Sequence, residues 1–225
     1  MLSPTFRQGA QLRDAVIAIV PLKGGVSAKS RLASVLDSAE RTLLVDAMAR
    51  HVFAKLAQCS SIVAIWTITA SPRAAALARS CGARVIRESD RKGTAAACKE
   101  ALEYLRCEGL ATSGQRLLFI NGDLPMLETG ALDALVASTA AAVVAPDRTL
   151  QGTNALLVDA CHPIEPCFGE RSFDRHLLAA RRAAVTPAVF HHPALAFDVD
   201  EVADLAALGI WAGRDWARRR LVVSS

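Results

Sequence analysis

The chain has 225 residues, 52% of them hydrophobic, and a formal charge of +4, which is enough for one well-buried domain and too little for two ordinary enzyme domains with linkers. This composition excludes disordered and fibrous classes, and no run reaches the roughly 18 apolar residues of a membrane span. Aromatics make up only 5% and never interleave with the basic residues, so a stacking platform for nucleic acid is missing and the mild positive balance suits a small anionic substrate instead.

Residues 1–11 lack the apolar block of a signal peptide and read as a short disordered leader, leaving 12–225 as a single domain of a cytoplasmic protein. Six cysteines, at 59, 81, 98, 107, 161 and 167, form no CxxC pair and read as buried thiols rather than zinc ligands or disulfides. Short apolar runs predict buried strands over 15–20, 62–67, 83–87, 116–121, 141–146, 155–158, 186–190 and 195–199. Helical periodicity predicts helices over 38–55, 72–80, 95–107, 129–138, 172–182 and 201–211, with Ser38 and Thr129 as N-caps. This alternation implies an α/β fold, a mostly parallel sheet with helices on both faces, in which ligands bind beyond the carboxyl ends of the strands.

The first strand runs into 20–32 (VPLKGGVSAKSRL), where small residues separate Lys23, Lys29 and Arg31. Glycines that let backbone N–H groups approach, with fixed cations beside them, suit the phosphates of a nucleotide, although neither the Walker spacing nor GxGxxG is present. A basic surface turn is the plain alternative. The strand at 116–121 ends in Gly122-Asp123 and is stopped by Pro125, so Asp123 stands where ligands bind and has the chemistry for Mg²⁺ shared with nucleotide phosphates. Its alternative is a turn with no chemistry. Asp198 and Asp200 alternate at the end of the strand predicted at 195–199, about 7 Å apart on one face, and such a pair favours a divalent cation. Asp200 could instead cap the following helix, whose first turn takes Glu201 and Asp204.

Together with APDRTLQGTNALLV, CFGERSFDRHLLAA and LAFDVDEVADLAAL, these segments resemble the MobA-like nucleotidyltransferases, and within them the 2-phospho-L-lactate guanylyltransferase family (CofC/FbiD) of deazaflavin coenzyme biosynthesis. The resemblance implies that Asp123, Asp198 and Asp200 hold Mg²⁺ and that Thr153, Gly169 and Ser172 hold the phosphate of a small phospho-acid. Hydroxyl and backbone donors suit a phosphate dianion, while a turn at Thr153 and a helix cap at Ser172 are the structural alternatives. The implied reaction moves GMP from GTP to the phosphate of a small phospho-hydroxy acid, releasing pyrophosphate, with Lys23, Lys29 and Arg31 neutralising the leaving group. Gly93-Thr94-Ala95 replaces the family's usual Gly-Leu-Asn, so Thr94 is a candidate acceptor contact and tilts the acceptor toward 3-phospho-D-glycerate. A molybdopterin or sugar-phosphate nucleotidyltransferase and a noncatalytic nucleotide-binding module are the other readings.

Overall fold

The computed structural model describes residues 15–23, 29–89, 93–112, 114–160 and 164–208. The leader 1–11, the pair Gly24 and Gly25, and Arg218 to Arg220 lie outside them. Seven strands are present among the described residues: β1 (Val16–Pro21), β2 (Ile62–Thr69), β3 (Arg84–Arg87), β4 (Arg116–Ile120), β5 (Ala142–Pro146), β6 (Thr153–Asp159) and β7 (Ala188–Val189). The helices are α1 (Ser38–Gln58), α2 (Pro72–Ser80), α3 (Thr94–Cys107), α4 (Thr129–Val136), α5 (Ser172–Arg182), α6 (Pro193–Ala196) and α7 (Val202–Ala207), with a 3₁₀ turn at Ser30–Leu32. None of these helices is long and apolar enough to cross a membrane.

One sheet carries all seven strands in the order β3-β2-β1-β4-β6-β5-β7. Every neighbouring pair is parallel except the two made by β6, which runs antiparallel to both β4 and β5. Both faces are covered, which is why the strands read as continuous apolar runs rather than alternating ones. In β1, Val16, Ala18 and Val20 point into one layer with Val52 and Phe53 of α1 and Leu77 of α2. Ile17 and Ile19 point into the other, with Ala101 and Leu105 of α3.

Five local expectations change. Residues 195–199 are not a strand: Pro193 occupies the first turn of α6, where its fixed φ favours helix initiation, and the His192 side chain caps that turn by accepting from the Ala194 N–H at 3.2 Å. Asp198 and Asp200 therefore lie on irregular chain leading to α7. Asp37, not Ser38, caps α1, accepting from Glu40 N–H at 2.8 Å while the Glu40 carboxylate accepts from Asp37 N–H at 3.0 Å; a reciprocal box of this kind satisfies two orphan donors at once. Glu128 occupies the cap position of α4, so Thr129 is already helical. The strand predicted at 186–190 shrinks to two residues, and α7 spans less than the predicted 201–211, of which 209–211 lie outside the described residues.

Candidate active site

The chain leaves β1 for β2 and β3 on one side and later returns to form β4 on the other, so the carboxyl ends of β1 and β4 flank a crevice where the direction of winding reverses. Ligands of open α/β sheets bind at such a point. Gly122, just after β4, lets the two loops close together: a Cβ there would stand 2.6 Å from Leu22 Cδ2. A small third cluster of Leu32, Leu36, Leu44, Met48, Val199 and Leu205 then packs the turn after β1 against the segment before α7. That burial carries Lys29 and Asp200, 171 positions apart in sequence, to the same place.

Lys29 Nζ donates to Asp123 Oδ2 and, at 2.6 Å, to Asp200 Oδ1. Its backbone is left-handed, with φ 54°, a conformation that costs a non-glycine residue about 1 kcal/mol and is often held at functional sites. Burial alone would lower the Lys29 pKa, but the adjacent Asp123 and Asp200 carboxylates outweigh it and raise it, so the ammonium stays charged. Asp198 completes the group. Burial, followed by the Asp123 and Asp200 charges, pushes its carboxyl up to about 6. The segment carrying both aspartates is held by buried Asp204, whose Oδ2 accepts from the N–H groups of Asp200 and Glu201 at 2.7 Å each. Its Oδ1 takes the Arg148 guanidinium, which also lies 4.9 Å over the Phe197 ring. Glu201, not Asp200, holds the cap position of α7.

The antiparallel direction of β6 places its first residue, Thr153, at the edge where β4 ends. Asn121 joins the two, donating through Nδ2 to the Thr153 carbonyl at 3.3 Å and to Asn154 Oδ1 at 3.1 Å. Thr153 N–H donates to Ser172 Oγ at 2.8 Å, and Thr153 Oγ1 lies 2.9 Å from His176 Nδ1. Ser172 is the first residue of α5 rather than its cap; Arg171 holds the cap position with φ 51° and makes no side-chain cap bond. Gly169 turns into this helix with φ +111°, backbone that a side chain would strain.

The remaining basic candidates separate. Lys23 lies two residues beyond β1 at the surface, and Arg31 is exposed, 3.5 Å from Glu201. Thr94 does not join Thr153, Gly169 and Ser172. It is the first residue of α3, behind Gly93 at φ +100°, and lines a small recess with Leu22, Lys23 and Glu88 on the β1 to β3 side of the sheet.

Comparison with known proteins decides the family. The profile of guanylyl transferases described as CofC-like matches residues 16–221. The chain belongs to the CofC-like guanylyltransferase family. It is 36% identical over 196 residues to the 3-phospho-D-glycerate guanylyltransferase of Phenylobacterium zucineum, covering 83% of this chain and 86% of that one. It is 34% identical over 200 residues to a phosphoenolpyruvate guanylyltransferase of Sphaerobacter thermophilus, covering 85% and 91%. A nucleotide-diphospho-sugar transferase fold from Desulfovibrio desulfuricans superposes with a TM-score of 0.70 at 14% identity, covering 91% of this chain and 90% of that one. The nucleotidyltransferase fold and transferase class expected from the sequence stand.

In this CofC-like protein no three His, Cys, Asp or Glu side chains among the described residues form a ready metal cage. Mg²⁺ asks for less, because it takes one or two carboxylates and completes its shell with water and substrate phosphates. The donor set suits a divalent cation: three carboxylates face one ammonium, and Asp123 Oδ1 is buried with no hydrogen-bond partner. Sequence reasoning missed Arg148 and His176 as part of the site and read Asp204 only as a first-turn acid. His176 had one visible signal, its position one helical turn after Ser172 and so on the same face of α5.

Proposed function

We propose that this CofC-like guanylyltransferase moves GMP from GTP to the phosphate of a small phospho-hydroxy acid, in the cytoplasm, with 3-phospho-D-glycerate the favoured acceptor. The observation that carries the reading is the convergence at one sheet edge of the Lys29, Asp123, Asp198 and Asp200 cluster with the Thr153 and Ser172 hydroxyls. An acceptor oxygen forms a bond to the α-phosphorus while the bond from that phosphorus to the bridging oxygen breaks, and the electron pair leaves on pyrophosphate. An acceptor phosphate is already ionised at neutral pH, so no side-chain base is needed and alignment and charge neutralisation supply the catalysis. Mg²⁺, held by Asp123, Asp198 and Asp200, would supply that neutralisation between two anions.

Lys29 turns from its carboxylates toward the triphosphate, with Lys23 just beyond β1 adding positive potential and exposed Arg31 acting at the rim. Thr153, Gly169 and Ser172 take the acceptor phosphate, as the resemblance to the family implies. The name of the Phenylobacterium relative supports 3-phospho-D-glycerate, and that of the Sphaerobacter relative supports phosphoenolpyruvate as the second reading. The same chemistry would make a building block for a deazaflavin coenzyme. Pyrophosphate release with GTP, Mg²⁺ and each of 3-phospho-D-glycerate, phosphoenolpyruvate and 2-phospho-L-lactate tests this, with the fastest release expected for the first. Fastest release with phosphoenolpyruvate selects the second reading, and no release with any of the three overturns the proposal.

A further inference from the structure

His176 is fully buried on α5, and both of its ring nitrogens are engaged. Cys167 N–H donates to Nε2 at 2.8 Å. A backbone N–H can only donate, so Nε2 presents its lone pair. A neutral imidazole has one protonated nitrogen, so the proton is on Nδ1 and Thr153 Oγ1, 2.9 Å away, receives it. Ser172 Oγ is set the same way, because it accepts from Thr153 N–H. The protein has thus used an acceptor position on each hydroxyl and left the hydrogen of each to be given. Among the described residues no side chain or carbonyl takes either hydrogen.

We propose that His176 is a positioning residue for the acceptor: by donating from Nδ1 to Thr153 Oγ1 it turns that hydroxyl into a donor facing the acceptor phosphate, beside a Ser172 hydroxyl oriented likewise. This rests on the reading that the acceptor phosphate binds at Thr153, Gly169 and Ser172. A pair of hydroxyls whose hydrogens are both left to donate suits an oxyanion, whereas the opposite tautomer would turn the Thr153 hydrogen inward and present only lone pairs to the same oxygen. Burial, with the nearby Arg175 charge adding to it, holds the His176 pKa down to about 4 and the ring neutral in the working range. The Phe168 ring packs nearly perpendicular to the imidazole, with the two centroids 5.0 Å apart and the planes at 76°, and helps fix the ring plane.

Asparagine and glutamine separate the two nitrogens. The short amide of His176→Asn puts an N–H near the place of Nδ1 and keeps the donation to Thr153. The longer amide of His176→Gln reaches the place of Nε2, serves Cys167 and leaves Thr153 without its donor. Steady-state kinetics of both, beside Thr153→Val and Ser172→Ala, should show the KM for the acceptor raised roughly 10-fold or more in His176→Gln and Thr153→Val, with the KM for GTP unchanged. His176→Asn should stay within about 3-fold of the parent, and the Thr153→Val, His176→Gln double variant should lose no more than either single one. Equal losses in the Asn and Gln variants, or additive losses in the double variant, overturn the positioning role. An unchanged acceptor KM in both Thr153→Val and Ser172→Ala overturns the underlying reading of the acceptor site instead. The ¹⁵N chemical shifts of His176 in the parent protein decide the matter even if the variants do not fold: protonated Nδ1 supports the proposal, and protonated Nε2 overturns it.

Discussion

Acidification acts on His176 in a way whose size follows from the structure. An unfolded chain titrates this histidine near its ordinary 6.5, while the folded protein holds it near 4, because of burial first and Arg175 second. Protonation would place a second N–H against the Cys167 N–H, which is 2.8 Å from Nε2. Below pH 6.5 the unfolded state takes up a proton that the folded state refuses, so this contribution is whole above that pH and drains away as the pH falls toward 4. At 1.36 kcal/mol per pH unit the gap amounts to about 3 kcal/mol, of which roughly 2 are gone by pH 5. Against a typical total of about 5–15 kcal/mol, that is a large share. Urea unfolding of the parent and of His176→Asn, at pH 7.5, 6.0 and 5.0, isolates the effect, since carboxylates titrate in both proteins and cancel in the difference. The parent should lose about 2 kcal/mol more than the variant between the highest and lowest pH. Parallel profiles would refute both the buried neutral ring and its assigned bonds.

Asp123→Asn should remove most turnover while leaving the urea midpoint nearly in place, because the side chain sits at a strand end outside the core; near-normal turnover would remove this carboxylate from the proposed metal site. Asp204→Ala leaves two backbone N–H groups and the Arg148 guanidinium without their acceptor, and should cost about 2–4 kcal/mol of stability by urea unfolding. A loss under about 1 kcal/mol would mean that the 198–201 segment is held by the Val199 and Leu205 packing alone. Lys29→Met takes the Lys29 ammonium from among three carboxylates, so Mg²⁺ added without nucleotide should raise the melting temperature of this variant more than that of the parent. An equal response in both would show that Lys29 does not share its place with the cation.

Much of the scaffold was legible because its signals are local. The apolar run of β1 needed no period, since both faces are buried, and Asp123 was marked by Gly122 before it and Pro125 after it. The direction of β6 was not legible. Apolar runs separated by helical segments suggest parallel strands, whereas β5 and β6 are joined by a tight turn in which Asp147 gathers the N–H groups of Thr149 and Gln151 at 3.0 Å and Gly152 at 2.9 Å. Phe197-Asp198-Val199-Asp200 alternates as a strand would, but the segment has no ladder partner among the described residues and follows a proline-initiated turn. Asp204 and His176 were hidden for a common reason: each is a polar residue with an ordinary helical role nearby, and only tertiary partners reveal the second role.

The reversed strand does more than complete the sheet. Residues 153 to 155 of β6 lie beside the end of β4, where Ile120 pairs with Ala155 and Asn121 reaches Thr153 and Asn154. Were β6 parallel, its other end, near Asp159, would stand there and add a further carboxylate to an edge that already carries Asp123, Asp198 and Asp200. Turning the strand around brings a neutral hydroxyl instead, next to the first turn of α5, where the helix dipole favours negative charge. The edge is thereby divided. Carboxylates suited to a cation gather around Lys29 after β1, and hydroxyls with hydrogens left to donate lie at the starts of β6 and α5, which is the arrangement that the proposed reaction asks for if it is to hold two phosphates of like charge.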